Sequence, residues 1–331
     1  MGKQNQLKIE NASQIDPVLD LEEEIKRLKK DMNAVILAHY YQDAEIQDIA
    51  DFVGDSLDLS RKAAATDADV IVFCGVSFMA DVAKILNPEK TVLLPDIDAG
   101  CSLEYACRAE ALEAFKKQHP DHMVLTYINS SIEVKALTDI IVTSSNAEYI
   151  INQLPEEQPI IFAPDKYLGG YLNRKTGRDM LLWEGSCIVH ERFSEKELVK
   201  LKTLHPQAHI IAHPECPEAL LDYAGHIGST SSLINFVMEH HGDEFIVLTE
   251  PGILHKMRQD SPNSIFYDVP GLDDGACANC NECPYMKLNT IEKLYMCMVN
   301  QAPAIEVSES LRVAAKKPLD KMLQMSPPKK V

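Results

Sequence analysis

Three observations predict an α/β fold made of three similar blocks, each with a short parallel sheet. Apolar runs of strand length, such as residues 68–74, 91–95 and 123–127, alternate with helical patterns to about residue 270, which is the pattern of βαβ units. Three strands end in polar groups, Ala38-His39-Tyr40-Tyr41, Tyr127-Ile128-Asn129-Ser130 and Ala212-His213-Pro214-Glu215, with His39, Asn129 and His213 spaced 90 and 84 residues apart. After each comes a segment of small residues that opens a helix and then another apolar strand, so the chain repeats itself at domain length.

The elements follow in order. Residues 18–30, with Leu19, Leu21, Ile25 and Leu28 among acidic and basic residues, predict an amphipathic helix, and Asn33–His39 predicts a fully buried strand. In the first block the helix-opening segment is Cys74-Gly75-Val76-Ser77-Phe78-Met79, followed by the strand Val92-Leu93-Leu94-Pro95-Asp96. In the second they are Thr143-Ser144-Ser145-Asn146-Ala147 and Ile160-Ile161-Phe162-Ala163-Pro164-Asp165. In the third they are Gly228-Ser229-Thr230-Ser231-Ser232 and Phe245-Ile246-Val247-Leu248-Thr249-Glu250. The expected blocks are residues 1–106, 107–192 and 193–299, with a closing helix over 300–325 joined to the first block and a frayed basic end after it.

Composition narrows the function. The chain has 331 residues, 46% hydrophobic and 25% charged, which supports packed cores and excludes wholesale disorder. Lys and Arg number 32 against 50 Asp and Glu, a formal charge of −18, so the overall field opposes phosphate-backbone contact and no nucleic-acid partner is expected. No run approaches a membrane span and the first residues lack the apolar core of a signal peptide, so the expectation is a cytoplasmic protein without a membrane partner. No P-loop or G-x-G-x-x-G fingerprint is present, and a nucleotide cofactor is not indicated.

Nine cysteines, an odd number, in a reducing compartment point away from disulfides and toward metal ligation, catalysis or burial. Cys101 and Cys187 stand 86 residues apart in polar, glycine-containing contexts, and Cys283 follows 96 residues later, so each block offers one thiol. Three loop thiolates suit an iron–sulfur cluster with one open iron better than structural zinc, which closes on four ligands. The run Cys277-Ala278-Asn279-Cys280-Asn281-Glu282-Cys283-Pro284 resembles part of a ferredoxin motif, but Lys287 stands where its fourth cysteine would be. A zinc ribbon, or a redox pair beside one true ligand, remains an alternative for this run. Cys74, Cys107 and Cys297 read as packing residues, and Cys216 as structural.

Ligands of open parallel sheets bind beyond the carboxyl ends of the strands, where His39, Asn129, Ser144, His213 and Thr230 fall. Ser56, Ser144 and Thr230 open helices whose N–H groups favour phosphate or carboxylate, although serine and threonine also serve as ordinary caps. Glu215 stands two residues beyond His213, where a carboxylate is either an acid–base group or an ordinary surface charge.

Taken together, Ile36-Leu37-Ala38-His39-Tyr40-Tyr41-Gln42, Asp51-Phe52-Val53-Gly54-Asp55-Ser56, Tyr127-Ile128-Asn129-Ser130, Thr143-Ser144-Ser145-Asn146-Ala147, His213-Pro214-Glu215-Cys216-Pro217, Gly228-Ser229-Thr230 and the three cysteines resemble the quinolinate synthase family, the A protein of bacterial NAD biosynthesis. The resemblance implies three αβα domains about a pseudo-threefold axis around a central active site. It implies one [4Fe–4S] cluster per chain held by Cys101, Cys187 and Cys283, with Cys277 and Cys280 auxiliary. It also implies condensation of iminoaspartate with dihydroxyacetone phosphate, and the L-aspartate-oxidising enzyme that supplies iminoaspartate as a partner. His39, Tyr41, Tyr127, His213 and Glu215 would be catalytic. His39, Ser56, Tyr127, Ile128, Asn129, Ser144, His213, Pro214, Glu215 and Thr230 would hold substrate. Two rival readings are another [4Fe–4S] hydro-lyase and a zinc-binding scaffold.

Overall fold

Val35, Ile36, Leu37 and Ala38 are all buried in strand β1 (Ala34–His39), so this strand carries no solvent face, as expected of a central parallel strand covered on both sides. It pairs in parallel with β2 (Phe52–Gly54) and β3 (Val70–Cys74), and β3 pairs with β4 (Thr91–Leu93), giving the order β2-β1-β3-β4. The structure is a computed structural model that describes residues 11–272 and 281–327. Cys277 and Cys280 lie outside the described residues.

The sheet β1–β4 belongs to the first of two units, residues 1–100 with 284–308. The helix Leu21–Asp31 starts where the Asp20 carboxylate accepts the Glu23 N–H at 3.1 Å, with Glu22, Glu23 and Glu24 in its first turn and Lys29 and Lys30 in its last, an arrangement that complements the helix dipole. Its buried Ile25 and Leu28 meet Leu294, Tyr295, Cys297 and Met298 of the helix Ile291–Asn300 in one core with Ile36, Val72 and Cys74. Residues 303–305 then run along β4, with Leu94 N–H donating to Pro303 O at 3.2 Å and Ile305 N–H to Val92 O at 2.9 Å.

The second unit, residues 101–283 with 309–331, holds two further parallel sheets. One contains β5 (Met123–Tyr127), β6 (Ile140–Val142), β7 (Ile160–Ala163) and β8 (Leu181–Leu182) in the order β6-β5-β7-β8. The other contains β9 (His209–Ala212), β10 (His226–Ile227), β11 (Glu244–Leu248) and β12 (Ile265–Asp268) in the order β10-β9-β11-β12. All three sheets therefore share one strand order, and the α/β fold of three similar parallel-sheet blocks expected from the sequence is observed.

Register refines two of the expected equivalences. Ala38, Thr126 and Ala212 each form the last pair with the third strand of their sheet, so His39, Tyr127 and His213 are the matching residues, and Asn129 lies two positions further on. The segment after β3, matched from sequence to Thr143–Ala147 and Gly228–Ser232, is displaced by one strand. The true counterpart follows β2, where Asp55 caps the helix Ser56–Ala65. The short edge strand β2 hid this, because Phe52 is exposed and Val53 half-buried, leaving no apolar run to read.

The closing segment is also divided. Residues 284–308 pack within the first unit, whereas the helix Glu309–Met325 buries Ala315, Pro318, Leu319 and Met322 and packs on β6 and the helix Ile132–Ala136 of the second unit. Asn146 Nδ2 fastens its end by donating to Ser326 Oγ at 2.9 Å. No helix among the described residues is long and apolar enough to cross a membrane.

Candidate active site

The second unit gathers the chemistry around Glu215, which is 3% exposed just beyond the carboxyl end of β9. Its carboxylate is held on both oxygens: the Tyr127 hydroxyl donates to Oε1 at 2.7 Å, and His190 Nδ1 lies 2.9 Å from Oε2. His213 Nδ1 is 3.9 Å from Oε1. Burial alone would lift the Glu215 pKa, but the positive charge available on His190 and His213 and the hydrogen bonds from His190 and Tyr127 hold it well below the usual carboxylate range. The group is an anion throughout the neutral range.

His213 follows the last paired residue of β9 and is 3% exposed. Its Nδ1 faces the Glu215 N–H at 3.4 Å, and its Nε2 lies 3.3 Å from Ser144 Oγ, so the ring spans from β9 to the loop after β6. Ser144, Ser145, Pro214, Gly228, Ser229 and Ser232 line a cavity of about 170 Å³. At its edge the helix Thr230–Glu239 begins, capped by Ser229, whose hydroxyl accepts the Ser232 N–H at 3.3 Å. Thr230 itself is buried at 3% exposure as the first helical residue, so the cap that faces the cavity is Ser229, one residue before the predicted position. Ile128 and Pro214 are buried, and the side-chain oxygen Oδ1 of Asn129 is buried with no hydrogen-bond partner among the described residues. An acceptor left bare in this way is costly, and a ligand N–H or O–H would satisfy it.

His39, Tyr41 and Ser56 are in the first unit. His39 ends β1 at 5% exposure, and its Nδ1 accepts the Tyr41 N–H at 3.2 Å while the two rings meet edge to face at 4.5 Å. Lys287 Nζ donates to Tyr41 O at 3.1 Å. Ser56 opens its helix after Asp55, which accepts the Asp58 N–H at 2.9 Å.

Cys101, Cys187 and Cys283 are all in the second unit and lie close enough for their charges to act on one another. Burial raises the Cys101 thiol, backbone N–H groups at the start of the helix Ser102–Ala106 lower it, and the Cys283 and Glu215 charges raise it again. Burial likewise raises Cys187 well above its ordinary value, followed by Glu215, Cys101 and Cys283. Ser102 laces two of the three loops together, since its hydroxyl accepts the Ile188 N–H at 3.2 Å and donates to Ser186 O at 3.4 Å. The third loop is tied down by Glu250, fully buried after β11, which accepts the Cys283 N–H at 3.4 Å and the Gly252 N–H at 2.7 Å. Three partly buried sulfurs beside a carboxylate, which would repel one another as anions, suit a bound cation that would take the thiols as thiolates. The Cys187 sulfur, a His190 nitrogen and a Glu215 oxygen also lie within 4.8 Å of one another, a group able to hold a metal ion.

The remaining described cysteines are packing residues. Cys74 and Cys107 are fully buried and Cys297 is 2% exposed, and burial pushes Cys107 and Cys297 up to about 12. Cys216 is fully buried with its sulfur 3.5 Å from Leu248 O.

Sequence reading missed His190, Asp165 and Glu250. His190 carried no signal beyond its place three residues after Cys187, because it sits in a short turn with no strand periodicity. Asp165 ends the segment after β7, fully buried, capping the helix Lys166–Thr176 through Oδ1 while its other oxygen has no partner among the described residues. Burial first, and then the Glu215 charge, raise its pKa well above the ordinary value. Its backbone bridges to Gly185, and Lys166 N–H donates to Gly185 O at 2.9 Å. This bolts the Cys187 loop to the end of the second sheet.

Comparison with known proteins identifies the family. The family described as Quinolinate synthetase A protein matches residues 23–324. The chain is 60% identical over 308 residues to the quinolinate synthase of Thermosynechococcus vestitus, covering 93% of this chain and 96% of that protein. It is 59% identical over 307 residues to that of Microcystis aeruginosa, covering 93% and 95%. It is 58% identical over 309 residues to that of Ehrlichia chaffeensis, covering 93% and 98%. On a matched family spanning nearly its whole length and relatives close to its own size, the chain belongs to the quinolinate synthase family and is an enzyme of that kind.

Proposed function

We propose that the chain condenses iminoaspartate with dihydroxyacetone phosphate to quinolinate, with loss of phosphate and water and no net redox change. The observation that carries this is the meeting of three thiols, Cys101, Cys187 and Cys283, with an ionised, doubly hydrogen-bonded Glu215 in one unit. The donor set suits one [4Fe–4S] cluster, with these three cysteines as its ligands. When bound, such a cluster supplies an open iron that acts as a Lewis acid toward a substrate oxygen.

The residues divide the remaining work. Glu215, kept ionised, accepts the proton that leaves a substrate carbon during isomerisation and ring closure. Tyr127 donates its one hydroxyl proton to Glu215 Oε1; once Glu215 has taken a proton, the carboxyl O–H donates to the Tyr127 oxygen and the phenol proton turns to the developing oxyanion. His213, with Ser144 on Nε2, binds a substrate carboxylate or carries the proton that a departing hydroxide needs. Asn129 orients an imine or hydroxyl through its bare Oδ1. Ser144 and Pro214, with Ser229 and Ser232, line the small cavity proposed for the phosphate or carboxylate groups, and Thr230 and Ile128 are proposed to hold substrate on the family resemblance. In the first unit, His39 and Tyr41 are proposed as catalytic groups, and His39 and Ser56 as substrate-binding groups, on the family resemblance. The partners are small molecules, together with an L-aspartate-oxidising enzyme, because iminoaspartate hydrolyses in water and must be used soon after it is made. We place the reaction in the cytoplasm.

The test is quinolinate formation from the two substrates by anaerobically purified protein. Replacing Cys101, Cys187 or Cys283 by Ser should abolish both brown colour and product, while C277S and C280S keep the cluster. Full cluster content in C283S would overturn the ligand set. Dehydration of a simple hydroxy acid without quinolinate would favour the hydro-lyase instead.

A further inference from the structure

His190 is 2% exposed in the turn three residues after Cys187, and both of its ring nitrogens are engaged. Nδ1 lies 2.9 Å from Glu215 Oε2 and 3.2 Å from Cys187 Sγ, and Nε2 lies 2.9 Å from Oγ1 of Thr249. Thr249 is fully buried directly after β11. The ring is further walled in by Phe193, edge-on at 6.0 Å, and by the His213 ring at 4.8 Å. A side chain so enclosed has one orientation available.

These contacts place one proton. A carboxylate can only accept, so Nδ1 carries a proton toward Glu215, and Nε2 accepts from the Thr249 hydroxyl in the neutral ring or donates to it in the charged one. We propose that His190 is a positioning residue for Glu215: with its ring fixed by Thr249, it holds the carboxylate in the rotamer in which Oε1 meets Tyr127. The inference rests on the reading of Glu215 as the proton acceptor and adds what aims it. A carboxylate with one oxygen pinned by a fixed N–H and the other meeting a phenol cannot rotate without losing both bonds. The proton it takes therefore moves along one direction, the preorganisation that well-aimed groups supply.

Amide side chains separate the two halves of the imidazole. In Asn the nitrogen can take the place of Nδ1, and in Gln it can take the place of Nε2. H190A, H190N, H190Q, T249V and E215Q are compared as anaerobic holoproteins for kcat, KM, iron content and thermal midpoint. H190A and H190Q should lose roughly 10–100-fold in kcat with KM little changed, the scale of one hydrogen bond to a charged group. H190N should recover most of that loss, T249V should lose several-fold, and all should keep wild-type iron content. Equal kcat in H190N and H190Q, alongside an inactive E215Q, would overturn the positioning role alone. Wild-type kcat in E215Q would overturn both this role and the reading of Glu215. Loss of iron in H190A and H190Q, with H190N also depleted, would make His190 a metal ligand rather than a positioning residue and would equally overturn the inference.

Discussion

Glu215 shows how burial and hydrogen bonding compete at one residue. Its environment is dry enough to penalise the anion, yet two histidines and a tyrosine more than offset that cost. E215Q keeps the shape and removes the base, so kcat should fall by roughly 10²–10⁴-fold while iron content stays at the wild-type level. Retained activity would move the proton transfer elsewhere. Asp165 is the opposite case, since the backbone N–H bonds from Leu168 and Tyr167 do not outweigh its burial and the Glu215 charge adds to the penalty. Below the ordinary Asp pKa both folded and unfolded chains hold this proton. Above it the unfolded chain sheds the proton while the folded chain keeps it, so this residue lowers stability as pH rises toward its raised folded value. D165N retains a good N-cap and should remove that part of the decline, measured as a denaturation midpoint that falls less between pH 5 and pH 8 than in the wild type. A larger fall would contradict a neutral Asp165. Of the site, His213, Glu215, Tyr127 and the cysteines were legible because strand ends and repeat spacing mark them. His190 and Asp165 were not, since what singles them out is a contact across the fold, which one sequence does not display.

At the scale of elements, the central strands were readable because they are continuous apolar runs, as in Val70-Ile71-Val72-Phe73-Cys74, buried at every position. The edge strands were not: β8 and β10 have two residues each, both half-buried, and β2 exposes Phe52. The helix Glu309–Met325 was expected as a helix but placed on the wrong block, because its amphipathic face specifies that it packs and leaves open which sheet it covers. Its apolar face meets β6 and the helix Ile132–Ala136. L319A or M322A, each emptying a fully buried site, should cost about 2–5 kcal/mol in the unfolding of the second unit. Denaturant titration checks this, and a cost below about 0.5 kcal/mol, ordinary for a surface change, would mean that the helix does not rest there in solution.

At the scale of the whole molecule, the proposed reaction would bring anionic substrates to a chain with formal charge −18, and the local chemistry must overcome that field. Histidines, helix starts and a metal cation can do so at short range, where the protein's other charges are screened within about 8–10 Å in physiological salt. The three-block architecture could be read from spacing because each block repeats the same strand order; the same count led to the expectation of one thiol per block, whereas Cys101, Cys187 and Cys283 all lie in the second unit. The most direct measurement is iron and acid-labile sulfide per chain on anaerobically purified protein, with quinolinate assayed in the same sample. The account predicts about four of each together with product from iminoaspartate and dihydroxyacetone phosphate. Zinc in place of iron, with neither sulfide nor product, would contradict it.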